Sequence, residues 1–179
     1  MIAAEWHVAL PYDPDILATG LKAVFCGMNP AISADTSGHS FSAPSNRFWK
    51  VLYLAGFTDV QLEPKEAYRL LAYRFGITAV VTRPTRRGIE VSTGEFRTAR
   101  PHFEERIRGF APRSIAFLGK RALSAMLRRH DLDWGRQPRS IGDVPTWVLP
   151  NPSGLNRGFS LDALVSIYTA FRVEIDDMR

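Results

Sequence analysis

Short apolar runs alternate with longer amphipathic ones along this chain, and the alternation predicts its elements. LKAVFCGMN (21–29) reads as a buried strand, and so do ITAVV (77–81), RSIAFLG (113–119) and TWVLPN (146–151). RFWKVLYLAGF (47–57) carries apolar residues at helical spacing. PKEAYRLLAYRFG (64–76) has Pro64 where a helix starts and Gly76 where it stops. Ser92 and Glu95 form a capping box that opens a helix to about Arg108. KRALSAMLRRH (120–130) reads as a helix, and SLDALVSIYTAFRVEI (160–175) as the closing one, with Ser160 as its N-cap. Strands alternating with helices predict the α/β class, a three-layer α/β/α fold around a mostly parallel sheet of about four strands. With 179 residues and no repeat, linker or low-complexity block, residues 1–179 are expected to form a single domain.

A parallel sheet places its ligand site beyond the C-terminal ends of its strands. The segments that follow the four strands are GMNPAISADTSGHSF, TRPTRRG, GKRA and NPSGLNRGF. They hold Asn, Ser, Gly and several Arg and Lys, so function is expected on one polar, largely basic rim. The first loop is long, and loops of that length inside a compact domain are uncommon unless they act in function.

Composition changes this picture little. The chain is 45% hydrophobic and 23% charged, as ordinary globular proteins are. Its net charge of +5 suits a polyanionic partner such as nucleic acid. The single cysteine, Cys26, lies in an apolar run and reads as a small core residue. The four histidines are scattered, without paired spacing, so no zinc site is expected. No apolar segment is long enough to span a membrane. MIAAEWHVAL has no basic stretch leading into an apolar core, so no secretory signal is expected and the cytoplasm is the expected compartment. Neither GxxxxGK[ST] nor GxGxxG follows a strand, which ranks a nucleotide-binding enzyme last.

Two rim loops carry a resemblance. GMNPA (27–31) with the SNRFWKVLYLAGFTD run (45–59), and NPSGLNR (151–157) preceded by WVLP, resemble the mismatch-specific uracil-DNA glycosylases. These are bacterial relatives of thymine-DNA glycosylase within the uracil-DNA glycosylase superfamily. The likeness runs from about Leu21 to Phe171. It implies a uracil-DNA glycosylase-like fold. It implies an enzyme acting on double-stranded DNA that contains a mismatched or damaged pyrimidine; a monomer on DNA, without a cofactor, is expected. Such an enzyme flips a base from the stack and hydrolyses its N-glycosidic bond.

The resemblance assigns a residue to each part of that work. Asn29 would orient the attacking water; an amide holds water but hardly deprotonates it. Asp35, in the same loop, is not required by the family pattern, although faster members of the superfamily activate water with an Asp; it is a secondary candidate for general base, against a plain solvated or Asx-turn role. Gly27, Met28, Phe41 and Asn151 would form the base pocket, with Phe41 as the stacking ring. Ala31 stands where the family usually has Gly. Leu155 would be the wedge that fills the gap left by the flipped base, and Gly154, Asn156 and Arg157 would face the orphaned partner. Ser153, Arg86, Arg87 and Lys120 are candidates for phosphate contacts, together with Arg83 and Arg121. Neither signature loop contains a lysine for Schiff-base chemistry, so a monofunctional enzyme that leaves an abasic site is expected. Uracil opposite guanine is the first substrate expected; thymine opposite guanine, exocyclic cytosine adducts and deaminated purines stay open. The competing reading is a non-catalytic DNA-binding module of the same fold.

Overall fold

The computed structural model describes residues 13–32 and 37–178. MIAAEWHVAL and Asp35 lie outside the described residues.

Five strands form one sheet in the order β2-β1-β3-β5-β4. Strands β1 (Ala23–Gly27), β2 (Phe75–Ala79), β3 (Ile115–Leu118) and β5 (Thr146–Leu149) run parallel, and the two-residue β4 (Gly135–Arg136) pairs antiparallel to β5. The strand residues of β2, β3 and β5 are all buried, as expected of a parallel sheet covered on both faces. The helices are α1 (Phe48–Leu54), α2 (Thr93–Phe110), α3 (Arg121–Leu127) and α4 (Leu161–Asp177), with a long 3-10 helix at Pro64–Tyr73. One face of the sheet packs an aromatic layer in which Phe25 meets Phe48, Phe57, Phe75, Tyr168 and Phe171. The other face packs Val24, Cys26, Phe117 and Val148 against Phe96, Phe103 and Ile107 of α2 and Leu123 and Met126 of α3. Burial pushes the Cys26 thiol well up, consistent with an inert core residue.

The expected α/β/α architecture is present, with three differences. The helix at 64–73 is 3-10 rather than α, and it ends at left-handed Arg74, two residues before Gly76. Gly76 belongs to β2 instead, where a Cβ would stand 2.6 Å from the Ile16 carbonyl and 2.7 Å from Leu21. There glycine admits a neighbouring chain rather than stopping a helix. The third difference is β4, too short to leave a periodic signal in the sequence. No helix among the described residues is long and apolar enough to cross a membrane.

Candidate active site

Beyond the C-terminal end of β1 the chain turns through Met28, Asn29 and Pro30. These residues form one wall of a cavity of about 140 Å³, partly open to solvent. Ser40, Phe41, Thr78, Ala79, Asn151 and Ser153 line it as well. An apolar cavity of roughly 150 Å³ accommodates a benzene ring, so this one takes a single six-membered ring. Among the described residues, none of those lining it is titratable.

Asn29 is held in one orientation. Its Nδ2 donates to the Arg83 carbonyl at 2.9 Å, to Thr85 Oγ1 at 2.9 Å and to the Pro30 carbonyl at 3.1 Å. All three partners are acceptors, which identifies this end of the amide as the nitrogen. The Oδ1 accepts from no described residue, which leaves it to an occupant of the cavity. Asn151 has the opposite polarity. Its Oδ1 accepts from the Ser153 N–H at 2.9 Å, and its Nδ2 donates to no described residue. The two amides therefore present one acceptor and one donor. The main-chain N–H groups of Met28 and Phe41 likewise donate to no described residue.

Phe41 adopts φ 56°, a left-handed conformation that is strained for a bulky side chain. Helix α1 holds it there. The ring stacks on Phe48 with centroids 4.0 Å apart, and the Trp49 indole donates to the Ser40 carbonyl at 3.3 Å. One face of Phe41 is thus covered by the core, and the other is left for the cavity.

The loop after β5 forms the rest of the rim. Its start is fixed by the buried Tyr168 hydroxyl, which donates to the Pro150 carbonyl at 2.8 Å. Arg47 reaches across from the start of α1. Its guanidinium donates to the carbonyls of Pro152, Ser153, Asn156 and Phe159 at 2.7–3.2 Å. Gly154 lies against Ser45 so closely that a Cβ would fall 2.5 Å from the Ser45 Cβ. From this clamped loop Leu155 projects with 84% of its surface exposed. It does not pack under Phe159, which instead meets Trp134 edge-on at 5.4 Å.

A family model for the uracil DNA glycosylase superfamily matches residues 14–172, nearly the whole chain. The chain belongs to the uracil DNA glycosylase superfamily. Its substrate is therefore DNA and its chemistry that of a DNA N-glycosylase. The fold is also that of a Methanosarcina acetivorans protein, provisionally named a uracil DNA glycosylase and solved by solution NMR. That protein shares 18% identity, with 92% of this chain and 96% of that one covered and a TM-score of 0.57.

For a glycosylase the remaining candidates divide by what already occupies them. Arg86, Arg87 and Arg157 are exposed and ion-paired to no described residue. Four other candidates lie in closer contact with the rest of the protein. The Ser153 N–H is bound by Asn151, so its main chain has no donor for a phosphate, whereas its Oγ accepts from the Leu155 N–H and keeps its proton. Lys120 lies over the Trp134 ring with Nζ 4.4 Å from the centroid. The Asn156 side chain turns inward, donating to the Asn151 carbonyl and accepting from the Gly158 N–H. Gly154 makes a close approach to Ser45 rather than displaying a group outward. Arg83 and Arg121 are engaged as well. Arg83 pairs with Glu95 at 2.8 Å. Arg121 binds the carbonyls of Gly88, Ile89 and Val91, which fixes the segment after Arg87.

Thr78, one of the lining residues, donates its hydroxyl to Asp15 at 2.5 Å, and Arg106 stands 3.3 Å from the same carboxyl. Burial raises the Asp15 carboxyl, against the opposing effects of Thr78 and Arg106. Among the described residues no group of three His, Cys, Asp or Glu could hold a metal ion. Thr85 and Arg47, which hold the two signature loops, went unread in the sequence. Each acts on a partner distant along the chain, and a motif read locally carries no trace of that.

Proposed function

We propose that this glycosylase is of the mismatch-specific kind related to thymine-DNA glycosylase, excising uracil opposite guanine from double-stranded DNA and leaving an abasic site. The observation that supports it is the fixed Asn29 amide, its nitrogen bound by the protein and its oxygen left to a cavity of one-ring size. A flipped pyrimidine would lie against the free face of Phe41. Asn151 Nδ2 and the N–H groups of Met28 and Phe41 would donate to its carbonyls. These donors gain strength as the bond breaks, because the departing base takes the bonding electrons and becomes an anion. Asn29 Oδ1 would accept from a water and aim its oxygen at the sugar carbon, with the water proton passing to solvent. An amide supplies position and no proton transfer, so the chemistry is slow and depends on how well the base is held. Asp35 is the secondary candidate for water activation. Leu155 would enter the space vacated by the base, with Arg157 at the orphaned strand and Arg86 and Arg87 at phosphates. Thymine and exocyclic cytosine adducts are further substrates to test, since one methyl group alters discrimination by about 1–3 kcal/mol.

The test is alkali-revealed cleavage of labelled DNA carrying one uracil opposite G, one opposite A, or one in a single strand. The expected result is abasic product from G·U well ahead of A·U, and no strand break before alkali. Equal rates on G·U and A·U would overturn the mismatch reading. No product from any uracil substrate, with tight binding retained, would leave a DNA-binding module.

A further inference from the structure

We propose that Thr85 is the positioning residue for the Asn29 amide, a role that rests on the assignment of Asn29 to the water. Thr85 is 97% buried, at 3% relative exposure, in the loop that follows β2. Its hydroxyl has one proton, and that proton goes to the Arg87 carbonyl at 2.8 Å. Towards Asn29, 2.9 Å away, Thr85 Oγ1 can therefore only accept. A hydroxyl free to rotate would tolerate either end of the amide. This one admits Nδ2 and repels Oδ1. The Arg83 carbonyl at 2.9 Å imposes the same choice from the other side. With the nitrogen so held, Oδ1 is left for the cavity.

The main chain keeps the two residues in register. The Thr85 N–H donates to the Pro30 carbonyl at 3.1 Å, and the Ile32 N–H donates to the Thr85 carbonyl at 3.0 Å. The result is an isolated parallel bridge between Ala31 and Thr85, which ties the chain after Asn29 to the loop after β2. The bridge explains why Ala31 is accommodated: it lies in an extended pairing, which places no demand for glycine. The same hydroxyl ends on the carbonyl of Arg87, a rim cation, so the hydrogen-bond chain from Asn29 reaches the proposed phosphate-facing loop in two steps.

Thr85→Val and Thr85→Ser separate hydrogen bonding from packing. Valine keeps the branched shape and deletes the hydroxyl. Serine keeps the hydroxyl and deletes a methyl. In single-turnover cleavage of a G·U duplex, Thr85→Val is expected to lose about tenfold in rate, with affinity for a non-cleavable 2′-fluorouridine duplex within twofold of wild type. Thr85→Ser is expected to recover most of that rate. A second readout needs no activity. In NMR spectra of the free protein, the Asn29 side-chain NH2 should exchange with solvent faster in Thr85→Val than in wild type or Thr85→Ser. Equal Asn29 exchange in all three proteins would overturn the proposal, as would equal rate losses in the valine and serine variants. If the wild type cleaves no uracil duplex, the reading of function fails, and the Asn29 exchange rates still decide whether Thr85 holds the amide.

Discussion

At the scale of single residues, the site depends on groups whose freedom has been removed. Asn29 has its nitrogen fixed by three acceptors, and Phe41 is kept at a positive φ by stacking on Phe48. Leu155 shows the contrast: a large apolar side chain left 84% exposed on a clamped loop. Leu155→Ala should leave the melting temperature unchanged, because nothing is buried around that side chain. It should slow cleavage of duplex uracil by about tenfold, the loss of one buried apolar contact in the opened helix, and spare single-stranded uracil. Comparing the two substrates under single turnover checks this, and equal slowing of both would remove the wedge role. GMNPA, a small-residue loop and NPSGLNR drew attention to Asn29, Phe41 and Leu155 in the sequence, and the first two line the cavity while the third is exposed. The inward turn of Asn156 was not legible there, since its partners are carbonyl and N–H groups that carry no residue identity.

At the scale of elements, the rim is assembled by side chains that bridge distant segments. Arg47 stands 105 residues before Pro152 in the chain yet donates to it and to three more carbonyls of the same loop. Arg47→Met keeps much of the length and removes the donors. It should cost on the order of 2 kcal/mol, the worth of charge-assisted hydrogen bonds only partly replaced by water. Amide exchange at Ser153 and Asn156, whose N–H and carbonyl groups the clamp organises, should quicken while the strands stay protected. Uniform loosening of the whole fold would contradict this. The strands were readable from their apolar runs to within two or three residues. The segment at 64–73 was not, because 3-10 and α helices share a similar apolar spacing over so short a span. Nor was β4, which exists by pairing with β5 and has no pattern of its own.

Across the whole molecule, the parallel sheet collects the loops after β1, β2 and β5 at the C-terminal end of its strands, and the net charge of +5 favours a polyanion there. On the rim, several cations are already engaged. Arg83, Arg121 and Arg47 are engaged by the protein, leaving Arg86, Arg87 and Arg157 exposed on the rim. Each phosphate contact contributes roughly 0.9 to the slope of log affinity against log salt concentration. The Arg86→Ala, Arg87→Ala double variant should therefore lower that slope by about 1.8 on a non-cleavable duplex. An unchanged slope would place these two arginines off the DNA.

The proposed mechanism gives the positioning of water to an amide, Asn29, rather than to a carboxylate. Single-turnover cleavage of a G·U duplex by wild type, Asn29→Ala and Asp35→Ala tests it most directly. Asn29→Ala is expected to lose most of the rate while Asp35→Ala stays close to wild type. A dead Asp35→Ala protein beside an active Asn29→Ala protein would contradict it and move water activation to the carboxylate.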